Sequence, residues 1–193
     1  MEATMTGHHL ILGELTDAVT GEVLADSHDE RYRQKVARIL LSEKGYVKAE
    51  ITPRVPLTAI AGKRRGKIRV AFAVSVDGRI GMIIQYGPGS LVTRHRPALA
   101  MSRLLADYQI PVAVVTNGED VDVLDGFSGN IVGRGFDALP AREALGKIVA
   151  GSAFTPISPR RADLESRIVY CYEIDGSCPC DTDICRLDET DED

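Results

Sequence analysis

Residues 63–89 read KRRGKIRVAFAVSVDGRIGMIIQYGPG, and this stretch decides the fold. It opens on five cations, Lys63, Arg64, Arg65, Lys67 and Arg69. Two short apolar runs follow, 68–76 and 80–86, joined by Val76-Asp77-Gly78-Arg79. Asp-Gly between β-formers marks a tight hairpin, because such turns need residues that tolerate positive φ. The second run contains Met82-Ile83-Ile84, apolar without alternation. That pattern belongs to a strand buried on both faces, in the middle of a sheet. The run ends in Gln85-Tyr86-Gly87-Pro88-Gly89. A loop at the end of a central strand is a common position for a site in an α/β fold.

Working outward, residues 8–24 read as two short strands around a Thr-Gly turn, a hairpin or extended arm. Residues 25–45 are the clearest helix. Asp26 or Ser27 can cap it, Asp29 and Glu30 suit its positive end, and Tyr32, Val36, Ile39 and Leu40 form one stripe. Residues 47–55 alternate and carry prolines, which fits an edge strand. Beyond the central stretch, 94–107 reads as a helix with Pro97 in its first turn, and 111–116 as a second buried strand. Asn117-Gly118 turns the chain into a short strand at 121–124, and 126–135 is a glycine-rich connection. A third helix spans 140–150, residues 152–161 read as a linker, and 167–174, RIVYCYEI, as a last strand. The alternation of helices and strands predicts an α/β fold with helices on the faces of a sheet.

The net charge of −5 hides an asymmetry. Residues 171–193 hold nine acidic residues and one basic one, Arg186, which leaves +3 over residues 1–170. A mildly basic body attracts polyanions. No apolar run approaches the roughly 20 residues of a membrane span. The first residues, MEATMTGHHLILGEL, lack a basic n-region and a long apolar segment, so a cytoplasmic protein without membrane contact is expected. Aromatic content of 5% supplies no stacking platform for single-stranded bases. Tyr32 and Tyr46 are expected in the core, and the exposed His8-His9 pair is incidental.

All four cysteines, Cys171, Cys178, Cys180 and Cys185, fall within fifteen residues. Four thiolates in a turn-rich segment suit Zn²⁺ or an iron–sulfur cluster. The spacing leaves the metal open. If Cys171 lies in the core of the last strand, three ligands remain.

Taken in order, several words of the chain resemble the N-terminal domain of type I restriction enzyme R subunits. Residues 29–34, DERYRQ, resemble the start of that family's first helix, and 41–46, LSEKGY, its end. Residues 63–70 resemble its Arg-Arg-x-Asp-Ile-x-Val strand, 84–89 its Ile-Glu-Cys-Lys-Ala-Pro segment, and 115–118 its Thr-Asn-Gly strand end. The resemblance covers roughly residues 15–124. It implies the restriction-endonuclease-like fold of the PD-(D/E)xK nucleases: a central mixed β-sheet flanked by helices, here with a C-terminal Cys-rich extension. That chemistry holds Mg²⁺ on a strand Asp and a following Glu, with a Lys two positions on. The resemblance puts Lys67, Gln85 and Gly87 at those three positions. The family's glutamine on the second helix would fall near Ala98–Leu99. Only the helix carboxylate, Glu30, is kept. No Mg²⁺ and no cleavage by that mechanism are therefore expected.

The chain then divides into an N-terminal hairpin or arm (1–24), a restriction-endonuclease-like domain (25–151), and a linker, last strand, four-cysteine segment and acidic tail (152–193). The expected function is a non-catalytic domain that binds nucleic acid or a phosphate ligand through Lys63, Arg64, Arg65, Lys67 and Arg69, with Arg94 and Arg96 opening the next helix. Two alternatives stay open. One is a protein-interaction or assembly subunit that uses the fold as a scaffold. The other is an active nuclease with relocated ligands, for which Asp77 and Glu50 are the neighbouring carboxylates. No phosphate-binding P-loop occurs, so the R subunit's motor is not implied.

Overall fold

Two short strands, β1 (Ile11–Thr16) and β2 (Val23–Ser27), pair antiparallel around Thr20-Gly21. The computed structural model describes residues 11–175 and 184–187. The expectations placed on His8, His9, Cys178, Cys180 and residues 188–193 lie outside the described residues. The turn between β1 and β2 is built on Asp17, whose buried carboxylate accepts from the N–H groups of Val19 and Thr20 at 2.8 and 2.9 Å. Helix α1 (His28–Ser42) follows directly, because the Ser27 hydroxyl accepts from Glu30 N at 3.2 Å and closes its N-terminus. Its expected stripe faces inward: Val36 and Leu40 are buried, and Tyr32 and Ile39 pack against the same cluster.

A short 3₁₀ turn, Lys48–Glu50, leads into β3 (Ile51–Ala61), which starts later than expected and runs to the next turn. Strands β3, β4 (Arg64–Val76) and β5 (Arg79–Tyr86) form an antiparallel meander. The Asp-Gly turn between β4 and β5 is present, with φ 53° at Asp77 and 76° at Gly78. Helix α2 (Val92–Leu104) crosses to β6 (Val112–Thr116), parallel to β5. The helix starts two residues earlier than expected, so Pro97 lies past its first turn. Strands β7 (Val121–Asp125) and β8 (Ile131–Arg134) continue the sheet antiparallel. The main order is β3-β4-β5-β6-β7-β8. This is a mixed, mostly antiparallel sheet with β5 inside it and the proline-bearing β3 at its edge. Helices α3 (Arg142–Gly151) and α4 (Pro159–Val169) complete the two flanking layers. Met82 and Ile84 face the core shared with α1 and α3, while Ile83 faces that of α2 and α4. All three are fully buried, so each stabilises the fold by roughly 1.5–3 kcal/mol. Among the described residues no helix is long and apolar enough to cross a membrane.

The expected last strand, 167–174, is instead the end of α4 followed by a π-helical turn, Tyr170–Asp175. Tyr170 and Tyr172 would share one face of a strand. Here Tyr170 is 4% exposed and Tyr172 is 50% exposed. The buried set Glu165, Val169 and Tyr170, extended by Glu173 and Ile174, has helical spacing. Ser158 starts the helix by accepting from Arg161 N at 3.3 Å, with Pro159 next to it. The expected linker 152–161 therefore ends at Ser158, where α4 begins. The glycine-rich connection 126–135 also contains a strand, β8. A last short strand, β9 (Cys185–Leu187), pairs antiparallel with Arg65–Lys67 of β4.

Gly118 fixes the approach of α1 to the sheet end. It sits at φ +89°, and a Cβ placed on it would lie 2.1 Å from Tyr32 Cδ1. Lys35 Nζ donates to its carbonyl at 2.8 Å. Gly118→Ala combines an unfavourable left-handed backbone with overpacking, and a loss of roughly 2–4 kcal/mol is expected. A lowered Tm with an unchanged denaturant m-value would match this. An unchanged Tm would mean that the Tyr32 contact is dispensable.

Candidate nucleic-acid interface

The basic segment is sorted by strand geometry. Along β4, Arg65, Lys67 and Arg69 are exposed, while Gly66, Ile68 and Val70 are buried. Side chains two apart share a face, so these three cations form one row. Lys63 stands in the exposed turn before the strand. Arg64 points to the other side, stacks on Tyr170 at 4.8 Å and pairs with Asp175 at 3.0 Å. The packing side changes after the row. Ile68 and Val70 belong to the α2–α4 core, but Phe72 and Val74 belong to the α1–α3 core. The switch falls at Ala71, opposite Arg54, which adopts φ 53°.

At the end of β5 a cavity of about 100 Å³ opens, walled by Asp29 and Arg33 of α1, Arg69, Gln85, Tyr86, Gly87, Pro88, Arg94 and Glu173. Gln85 is 9% exposed, and its amide oxygen accepts from Ala71 N at 3.0 Å. Gly87 is buried and approached by Arg94. A Cβ on Gly87 would lie 2.9 Å from Arg94 Nε and 3.0 Å from Cζ. A guanidinium from α2 therefore fills the space into which a side chain at residue 87 would grow. Arg94 Nη1 stands 3.5 Å from a carboxylate oxygen of the buried Glu173. Tyr86 donates its hydroxyl to Asp29 at 2.8 Å, its ring stacks on Tyr32, and the Arg33 guanidinium lies 5.5 Å from its centroid. Burial, and after it the Asp29 carboxylate, push the Tyr86 phenol above its ordinary pKa, so it stays a neutral donor.

The remaining expected site residues are placed elsewhere. Glu30 does not wall the cavity. It accepts from Gln34 Nε2 at 2.8 Å and Arg33 Nη1 at 3.2 Å, and lies 3.9 Å from Arg54. Arg54 also binds Asp17 at 2.7 Å and Glu22 at 3.1 Å, so this network ties the β1–β2 hairpin to the sheet. Lys67 is exposed in the row on β4. Arg96 turns away from the cavity into a buried cluster on Glu165, described below. Asp77 occupies its turn, and Glu50 holds Arg142 at 2.7 Å, so neither reaches the cavity. Ala98 and Leu99 are core residues. The sequence reading missed Asp29, Arg33, Tyr86 and Glu173 as cavity residues. Asp29 carried only a helix-dipole signal, and Glu173 was placed in a strand.

Among the described residues, the donors at the cavity do not fit Mg²⁺. One oxygen belongs to a neutral amide engaged with Ala71 N, one carboxylate holds Tyr86, and the other faces Arg94. A hard dication needs several charged or freely available oxygens, and a guanidinium in the same space opposes it. Of the cysteines, Cys171 is exposed on the π-helical turn and Cys185 exposed on β9. Cys171 is thus not a core residue of a strand. Among the described residues no group of three or more His, Cys, Asp or Glu stands together to hold a metal.

The family model for the N terminus of the type I restriction enzyme R protein matches residues 28–140. That span runs from the start of α1 through β3–β8 and includes the cation row and the cavity's walls at Asp29, Gln85 and Arg94. No curated protein and no solved structure gives a significant match. The helix, the three-strand meander, the crossover and the strand end at Gly118 all lie within the matched region, and the chain belongs to the family of type I restriction enzyme R protein N termini.

Proposed function

We propose that this chain is a restriction-endonuclease-like domain that binds nucleic acid through its phosphates and does not cleave it. The order α1–β3–β4–β5–α2–β6, with β6 parallel to β5, supports the fold assignment. The observation that carries the function is the engaged amide of Gln85. The resemblance gives residue 85 to a metal-binding glutamate and residue 87 to a lysine, and here an amide oxygen bound to Ala71 N and a guanidinium packed on Gly87 stand at those two places. Gln85 supplies a neutral amide committed to the backbone. A pocket of this kind attracts phosphate by ion pairs and offers no activated nucleophile. Arg65, Lys67 and Arg69 extend the positive surface along β4.

Two measurements on the purified chain test this. Plasmid DNA incubated with Mg²⁺ or Mn²⁺ is expected to stay intact, and metal-dependent nicking would refute the non-catalytic assignment. Fluorescence anisotropy with labelled DNA and RNA is expected to show affinity that falls linearly on a log–log plot against salt. Absence of binding at low salt would remove the nucleic-acid reading in favour of a protein-assembly role. The four cysteines are proposed to staple the C-terminal segment on Zn²⁺ or an iron–sulfur cluster. Metal analysis with an absorbance spectrum decides between zinc, iron–sulfur and no metal.

A further inference from the structure

We infer that the acidic end of the chain, residues 188–193, competes with nucleic acid for the cation row on β4, so that the domain carries its own inhibitor. This rests on the nucleic-acid reading above and adds the regulation of that site. Strand β9 decides where the acidic end begins. It runs antiparallel to β4, with Cys185 opposite Lys67, Arg186 opposite Gly66 and Leu187 opposite Arg65. Directly opposed residues on neighbouring strands share a face, so Cys185 and Leu187 flank the cations on the cations' own side of the sheet. Arg186 goes to the other side, where its Nη2 donates to the Ile174 carbonyl at 3.0 Å. The chain therefore leaves β9 beside Arg65, and five of its next six residues are acidic: Asp188, Glu189, Asp191, Glu192 and Asp193.

Charge and reach both fit the row. The register partners of Arg65 and Lys67 are uncharged on either flank, Ile60 and Thr58 on β3 and Leu187 and Cys185 on β9. The two neighbouring strands thus set no carboxylate opposite these cations. Arg65, Lys67 and Arg69 succeed one another at about 6.6 Å, so the row spans about 13 Å. Six residues extend to about 20 Å. A segment that starts beside Arg65 and turns back along the face reaches every member of the row. Its carboxylates bring the same sign of charge as a phosphate backbone, so tail and nucleic acid cannot both occupy the cations.

The contact is built to yield. Strand β9 has three residues, and its Cys185 and Arg186 are exposed. A short element with little buried apolar surface lies at the low-stability end of a fold. Each exposed ion pair is worth little and is screened by salt. A ligand with more charges than the tail displaces it, whereas a weak or short polyanion does not.

Two experiments on the full chain test the inference. The first needs no nucleic acid. Carbodiimide coupling at low salt, read by mass spectrometry of the monomer, is expected to join Lys67 to a carboxylate of residues 188–193. Absence of that cross-link overturns the docking. The second compares the unaltered chain with a variant carrying Asp188→Asn, Glu189→Gln, Asp191→Asn, Glu192→Gln and Asp193→Asn. At low salt the variant is expected to bind labelled DNA and RNA oligonucleotides about tenfold more tightly, the combined effect of two or three exposed ion pairs. The gain should shrink as salt rises. In a background of Arg65→Ala and Lys67→Ala it should fall to about twofold or less, because the tail and the row then no longer couple. Thermal melts establish that every variant is folded. Unchanged affinity in the neutralised variant overturns the inhibitor. A tenfold gain that survives in the row background means general repulsion by the tail and overturns it as well. If no oligonucleotide binds either protein, the nucleic-acid reading falls and the inhibitor with it, while the cross-link still reports where the tail sits.

Discussion

Glu165→Ala is expected to destabilise the protein by about 3–5 kcal/mol, the range for breaking a buried ion pair by removing one partner. Glu165 is fully buried on α4. Its carboxylate meets Arg96 at 2.6 Å and Arg103 at 2.9 Å, both from α2, and Arg161 of its own helix at 2.5 Å. Arg103 is only 8% exposed and has two backbone carbonyls near 3.4 Å, of Gly126 and Phe127. Without Glu165 it becomes a buried cation beside two others. Burial lowers the Arg103 pKa, and Glu165 acts against that. For Glu165 the balance is reversed: burial alone raises its pKa, but hydrogen bonds from Arg96 and Arg161 outweigh it and hold the carboxyl below its ordinary value. A depressed folded pKa contributes stability above the unfolded value, near 4.3, and loses it as pH falls through the folded one. Glu165→Gln should therefore be less stable than the unaltered chain at neutral pH and lose part of its acid sensitivity below about pH 4.3. Chemical denaturation from pH 7 down to pH 3 measures both. An alanine variant within about 1 kcal/mol of the unaltered protein would mean that the cluster contributes little.

Removing the cation row has the largest expected effect on binding. In the triple variant Arg65→Ala, Lys67→Ala and Arg69→Ala, the slope of log affinity against log salt should flatten by about 2 for a single strand, at about 0.7 per lost phosphate contact. Of these, Arg65→Ala and Lys67→Ala should leave Tm nearly unaltered, because those side chains are exposed and surface substitutions usually stay within about 0.5 kcal/mol. Arg64→Ala serves as the control. Its guanidinium is engaged with Asp175 and Tyr170 on the opposite side, so its salt slope should not change. A triple variant with an unchanged slope would move the interface off β4.

The centre of the sheet was legible because its signals are local. Asp77-Gly78 dictates a turn, and the unbroken apolar run through Ile83 dictates a strand covered on both sides. The C-terminal region was misread because RIVYCYEI satisfies strand alternation by identity alone. Only the burial of Glu165 with Val169, and of Tyr170 against an exposed Tyr172, reveals the helical period. The resemblance, and not spacing, marked Lys67, Gln85 and Gly87 as departures from a nuclease pattern. The packing around them could not be read at all. Arg94 reaches Gly87 through the angle of α2 on the sheet, and Glu173 arrives from a turn nearly ninety residues later. Likewise Arg96 carries the same charge as Arg94 two positions away, and only packing assigns one to the cavity and the other to Glu165.

That division of labour along α2 has a thermodynamic consequence. Arg94 and Arg96 project from opposite sides of the helix, and Arg103, seven residues beyond Arg96, returns to the α4 side. One rigid rod thus carries the cation facing the cavity and the two cations that clamp α4. Whatever is captured at Arg94 is captured by the folded state alone, because the unfolded chain has no cavity. Saturation then adds to the melting free energy, by about 2.7 kcal/mol at a hundred times the dissociation constant. Heat-induced unfolding therefore works as a titration. A ladder of candidate anions, ranked by the shift in Tm they produce, would report the occupant of the cavity without a label, an activity or a named partner.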